Sequence, residues 1–151
     1  MDNAFRQPYP YGYDTPNVLK SVALIEMATH QRLSFASVEV LPRGIVELTV
    51  NHGVDVSRQM VAELHGFLAA LEQAHHLLVN KINAYSYSYE AQQTLLASPH
   101  IGAVALVAYS RISEVSVRSL LLSFPRSTAN RVALFQDREK ALEWLAGLPR
   151  S

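Results

Sequence analysis

Cysteine is absent from all 151 residues. No disulfide can staple the fold, no thiolate can hold a metal, and no cysteine can act as a nucleophile. That composition fits a reducing compartment. Long apolar runs are missing as well. The best one, Ile101 to Tyr109, is far short of the roughly 20 residues that a helix needs to cross a bilayer, so no stable membrane insertion is expected. Asp2, Arg6, Asp14 and three early prolines leave no apolar stretch for a signal peptide, and the cytoplasm is the expected address. Glycine is scarce. The six, at positions 12, 44, 53, 66, 102 and 147, are too scattered for a phosphate-binding loop, a dinucleotide fingerprint or a nucleophile elbow. Net charge is missing too: thirteen basic residues balance thirteen acidic ones, so no overall field draws in nucleic acid or an anionic membrane.

What is present reads as one globular domain. Hydrophobic residues make up 49% and charged residues 17%, enough apolar surface to build a core. Residues 1–30 stand apart as a flexible or loosely attached segment. Pro8, Pro10, Tyr9, Tyr11 and Tyr13 show neither helical nor strand period, and Val18, Leu19, Val22 and Ile25 favour a short amphipathic helix, with a strand as the near alternative. Residues 31–148 carry the domain. Phe35, Val38 and Val40 lead through Leu41-Pro42-Arg43-Gly44 into Ile45-Val46-Glu47-Leu48-Thr49-Val50, a hairpin with proline and glycine at its turn. Asp55 or Ser57 then caps a helix whose apolar face is Met60, Leu64, Phe67, Leu68 and Leu71. Leu77-Leu78-Val79 is a short buried strand, and Tyr89 to Ala97 a helix stopped by Ser98-Pro99. Ile101 to Ala108 is apolar on both faces, the mark of a central parallel strand. Ser110 caps a helix to about Ser123, Arg131 to Phe135 is the last strand, and Asp137 caps a final helix with Trp144 facing inward. The alternation predicts an α/β fold: a mixed four- to five-stranded sheet with an N-terminal β-hairpin and about four packed helices.

The chemistry search is sparse. His75-His76 is the one histidine pair, and neighbours on a strand point to opposite faces, so the two cannot hold one metal. No paired carboxylates fall where the topology would focus them, at the carboxyl ends of strands. No catalytic residue, metal or cofactor is expected. Arg111, Arg118, Arg126 and Arg131 form a mild basic bias that reads as solvated helix and loop charge. Most distinctive is Asn80-Lys81-Ile82-Asn83-Ala84-Tyr85-Ser86-Tyr87-Ser88-Tyr89-Glu90, where a strand hands over to a helix. Ser88 occupies an N-cap position with Glu90 in the first turn; Ser86 lies in the loop, at the strand end where α/β folds expose functional groups. A phosphate there would meet free backbone N–H groups, so Tyr85, Ser86, Tyr87 and Ser88 are the candidate phosphoacceptor or partner-binding loop.

The hairpin entering Val54-Asp55-Val56-Ser57, the strand Ala103-Val104-Ala105-Leu106-Val107-Ala108 and above all "RVALFQDREKALEWL" from Arg131 to Leu145 resemble the SpoIIAA-like branch of the STAS domains, over residues 33–147. The resemblance implies a non-enzymatic regulatory or protein-interaction module, self-associating or bound to another protein. It also implies that Ser86 or Ser88 corresponds to the phosphorylated position of switch-type members, although their Asp-Ser-Ser/Thr-Gly run is absent here. The same branch resembles lipid-carrier sandwiches. That implies as an alternative a carrier or sensor of a small lipophilic molecule held between helices, with Leu95, Leu96, Val115 and Leu120 as candidate lining residues.

Overall fold

The computed structural model describes residues 30–124 and 131–149. The chain divides into two compact units, Met1–Gln31 and Arg32–Ser151. The expectations for the N-terminal tail, for the segment at 17–28 and for Arg126 lie outside the described residues.

Each hydrophobic run becomes an element. Strands β1 (His30–Arg32), β2 (Ala36–Leu41) and β3 (Ile45–Val50) open the domain. Antiparallel β2 and β3 pair from Ala36↔Val50 to Leu41↔Ile45. Their tight connection is made possible by left-handed backbone at Arg43 (φ 67°) and Gly44 (φ 74°). A two-residue strand β4 (Asp55–Val56) precedes helix α1 (Arg58–Ala70), capped by Ser57, whose hydroxyl accepts from Met60 N–H. Then come β5 (His75–Lys81), β6 (Ser86–Tyr87), α2 (Tyr89–Thr94), β7 (Ile101–Ala108), α3 (Arg111–Ser123), β8 (Val132–Phe135) and α4 (Arg138–Ala146). Ser88, Ser110 and Asp137 cap α2, α3 and α4 through their side-chain oxygens, satisfying N–H groups that a first helical turn leaves free.

The main sheet has six strands in the order β1-β2-β3-β5-β7-β8, one or two more than the sequence predicts. Strands β3, β5, β7 and β8 run parallel. A second, two-stranded sheet pairs β4 with β6 in parallel. These additions have a common cause: two- and three-residue strands are too short to show a period, and their pairing is set by distant chain.

Alternation along the strands sorts the core onto two faces. Val46, Leu48, Leu77, Val79, Val104 and Leu106 pack beneath α1, α2 and α3, with Leu64 and Leu68 of α1, Leu95 just after α2 and Val117 of α3. On the other face Ile45, Leu78, Ala103, Ala105 and Val107 meet α4 through Ala141 and Leu145. Trp144 is half-buried there, its ring centroid 5.5 Å from that of Phe135. Removing it should cost about 2 kcal/mol, less than a fully buried tryptophan.

At the opposite end of β5 the His76 ring ties strands together. Its Nδ1 accepts from Ala103 N–H at 2.9 Å, so the ring proton sits on Nε2, which faces the Leu148 carbonyl at 3.4 Å. The ring lies against Gly102, where a Cβ would stand 2.6 Å from Nδ1. Gly102→Ala must therefore displace the imidazole and break the Ala103 bond. We expect a loss of about 2–3 kcal/mol in urea unfolding; a loss below about 0.5 kcal/mol would show that the ring can move aside freely.

Candidate functional site at the carboxyl edge of the sheet

Parallel strands expose their carboxyl ends together, and α/β folds place functional groups there. In this domain that edge gathers the residues after β3, β5, β7 and β8. Two buried polar constellations occupy it, one on each face of the sheet.

The first lies on the α4 face. Glu47 projects from β3 and is only 9% exposed. Arg138, the first residue of α4, donates from Nη2 to Oε1 at 2.8 Å and from Nε to Oε2 at 3.1 Å, a bidentate pair. Asn80, from β5, donates to Oε2 at 2.9 Å. The hydrogen bonds from Arg138 hold the Glu47 carboxyl below the usual carboxylate range, with burial opposing and Asn80 assisting. Tyr109 follows β7 and stands beside the group; burial, and then the Glu47 charge, push its phenol up. Asn80 Oδ1 is buried without a partner in the protein, an acceptor left open in the middle of this cluster.

The second constellation lies on the helical face. Lys81 ends β5 and is 5% exposed. Its Nζ sits 3.7 Å from the centroid of the Tyr85 ring and donates to the Tyr85 carbonyl at 3.3 Å. Burial lowers its pKa. Tyr85 and Tyr87 meet edge to face at 5.5 Å, with their hydroxyls 3.4 Å apart. Burial raises the Tyr85 phenol well above its ordinary value, reinforced by Tyr87, and burial also raises Tyr87.

The loop that supplies these tyrosines is stitched into place. Gly53 N–H donates to Ala84 O at 2.7 Å, Ser86 N–H to Val54 O at 3.0 Å, and Ser88 N–H to Val56 O at 2.9 Å. Asn83 Nδ2 donates to Val50 O at 3.0 Å, and Ser86 Oγ to Asp55 Oδ1 at 2.8 Å. Of the candidate loop residues, Ser86 is exposed, Tyr85 and Tyr87 are half-buried with their rings against the core, and Ser88 is the helix cap. The proposed apolar lining does not converge: Leu95 and Leu120 are buried and Leu96 half-buried, while Val115 is 63% exposed on the outer side of α3.

Sequence reasoning missed Glu47, Asn80, Lys81, Tyr109 and Arg138. A signal existed for two of them. Glu47 is the one charged residue of its strand and stands at an inward-facing position, and Lys81 directly extends a strand that is buried on both faces. Their partners come from other elements and leave no local trace.

Among the described residues, no group of three or more His, Asp or Glu could hold a metal ion, and no helix is long and apolar enough to cross a membrane. Comparison with known protein families, curated proteins and solved structures finds no match to this chain.

Two predictions follow from the hydrogen bonds. Because the folded-state pKa of Glu47 is depressed, its pair with Arg138 contributes fully above the unfolded value of about 4.3 and is lost as pH falls through the lower folded value. Glu47→Gln should therefore cost about 1–2 kcal/mol at neutral pH, discounted because the Arg138 side chain is 36% exposed. In denaturant melts the gap between wild type and variant should narrow as pH falls below the unfolded value of about 4.3; a gap that does not depend on pH would mean that the ionised pair contributes nothing.

The two serines should respond differently to aspartate. Ser88→Asp should be nearly neutral because aspartate also caps, whereas Ser88→Ala should cost about 1 kcal/mol. Ser86→Asp places a carboxylate against Asp55 and should destabilise by about 0.5–1 kcal/mol, most at low ionic strength. Equal melts for the two aspartate variants would contradict that arrangement.

Proposed function

We propose that this domain is a non-catalytic, STAS-like protein-interaction module. The observation that carries the reading is the outer face of α3, where Ile112 is 84%, Val115 63% and Leu122 88% exposed. They recur at near-helical spacing on the side opposite Val117 and Leu120, which are buried. Elsewhere among the described residues, Ile82, Tyr89 and Tyr109 are also exposed large apolar side chains. Single exposed apolar residues are ordinary, but a stripe along one helix marks a surface that another molecule covers. The buried charges serve the fold in this reading, with Glu47 holding α4 and Lys81 holding the Tyr85 loop. Support for the STAS-like assignment is the run of parallel crossovers together with the Asp137-capped terminal helix after β8.

One feature favours carriage of a small lipophilic molecule as a second reading. A groove of about 320 Å³ opens between α4 and the β2–β3 turn, with Leu41, Ile45, Leu142 and Ala146 in its lining. Native mass spectrometry of freshly purified protein separates the readings, since a co-purifying lipid mass supports the carrier.

For the module, Leu122→Asp should leave the melting curve within about 0.5 kcal/mol of wild type, because the side chain is already in water. The same change should abolish retention of protein partners in quantitative affinity capture from the native cell. Partners held equally by wild type and variant would place the binding surface elsewhere or remove the reading.

A further inference from the structure

We propose that His76 is a proton-operated latch on α4: the neutral ring fastens the carboxyl end of the helix to the sheet, and a second proton on the ring releases it. Among the described residues, α4 is the one helix packed on its face of the sheet. Its amino end is fastened where Arg138 grips Glu47 of β3. Its carboxyl end is fastened where the Nε2–H of His76 donates to the Leu148 carbonyl. Both fastenings come from side chains that can titrate.

The sheet requires the ring to be neutral. His75 pairs with Ile101 and Leu77 with Val104, so β7 fits one extra residue into the step that β5 makes at His76. Such a bulge leaves a backbone group outside the ladder, and here the His76 Nδ1 accepts the Ala103 N–H at 2.9 Å. From the far side of β7, Arg131 donates to the Gly102 and Ile101 carbonyls at 3.1 and 3.2 Å, which sets a fixed positive charge at the same bulge. Protonation turns Nδ1 into a donor aimed at another donor, and it charges a ring that is 2% exposed. The ring lies so close to Gly102 that a Cβ there would stand 2.6 Å from Nδ1, so it has little room to turn in place. It must leave its slot, and the Leu148 bond goes with it.

The surroundings do not offset that charge. Among the described residues, both hydrogen bonds of the ring go to backbone. The charged and titratable residues on the elements around it are Arg43 in the β2–β3 turn, His75 in β5, His100 before β7, Arg131 before β8 and Glu143 on α4. Glu143 is exposed, and Glu47, farther along β3, is engaged by Arg138. The Glu47 carboxyl is held below the usual carboxylate range, so mild acid leaves the amino end of α4 in place. The helix then opens from one end only. Ile45, which pairs with His76, lines the groove of about 320 Å³ between α4 and the β2–β3 turn, and acid would widen that groove near Ala146.

The test is residue-resolved amide exchange of the full chain from about pH 8 to about pH 5, corrected for intrinsic rates, with the imidazole nitrogen shifts of His76 followed in parallel. In wild type the open fraction at Leu145 to Leu148 should rise about tenfold per pH unit below about 6.5, the slope of one proton taken up per opening. Amides in the middle of β5 and β7 should keep their protection. His76→Asn offers Ala103 an oxygen acceptor, takes up no proton and does not reach Leu148. It should leave the end of α4 less protected at every pH, with no rise in acid. A flat wild-type profile, or an acid rise that persists in His76→Asn, overturns the latch. Loss of protection in β5 and β7 in step with α4 also overturns it, because the event is then global unfolding. If the variant does not fold, the wild-type ring decides: coincident midpoints for the ring and the α4 amides support the latch, and a ring that charges while those amides stay protected overturns it.

Discussion

Strand β7 has no face turned toward water, and the rest of the domain is arranged around that constraint. Its neighbours β5 and β8 run parallel to it, so each connection must cross the sheet and return through a helix. The two faces are covered unequally. Val104 and Leu106 meet the layer of α1, α2 and α3, while Ala103 and Ala105 face the single helix α4. Alanine on that side lets a nine-residue helix sit close to the sheet, and Trp144 spreads its contact over Phe135. Burying this surface is the dominant favourable term, and the hydrogen-bonded caps settle where each helix begins.

A sheet buried on both sides still ends in polar groups, and here the carboxyl edge receives them. Glu47 and Lys81 lie two strands' width from any free edge, yet neither makes an ion pair with the other. They project from opposite faces, as alternation in the registered strands β3 and β5 requires. Glu47 is neutralised by Arg138 from the far end of the sequence. Lys81 relies on the face of an aromatic ring and one carbonyl. Both interactions anchor something that would otherwise hang at the edge: the start of α4 in one case, the Tyr85 loop in the other. The price of desolvating these charges is thereby tied to positioning of the loops.

Helix α3 shows the reverse arrangement. Its buried side is narrow, Val117 and Leu120, and its outer side carries apolar residues that the domain itself does not cover. A helix with modest inward packing and a dry outer stripe is poorly explained by the isolated domain. That exposed stripe is a feature of the helix itself and does not depend on any resemblance between sequences.

What the sequence by itself determined is what depends on neighbours within a few residues. Ser57, Ser88, Ser110 and Asp137 cap helices because each hydroxyl or carboxylate reaches an N–H two or three residues ahead. The two-faced apolarity of Ile101–Ala108 likewise announces a central parallel strand before any packing is known. Tertiary structure alone decided the pairings across distance. Asp55–Val56 and Ser86–Tyr87 become strands only because the loops carrying them meet, and Ser86 acquires Asp55 as partner by the same meeting. Arg138 finds Glu47 across 91 positions, and no pattern local to either residue encodes that. Val115 and Leu120 looked alike as apolar helix residues, but at about 100° per residue they fall on different sides of α3, and which side faces the core was fixed by the sheet beneath.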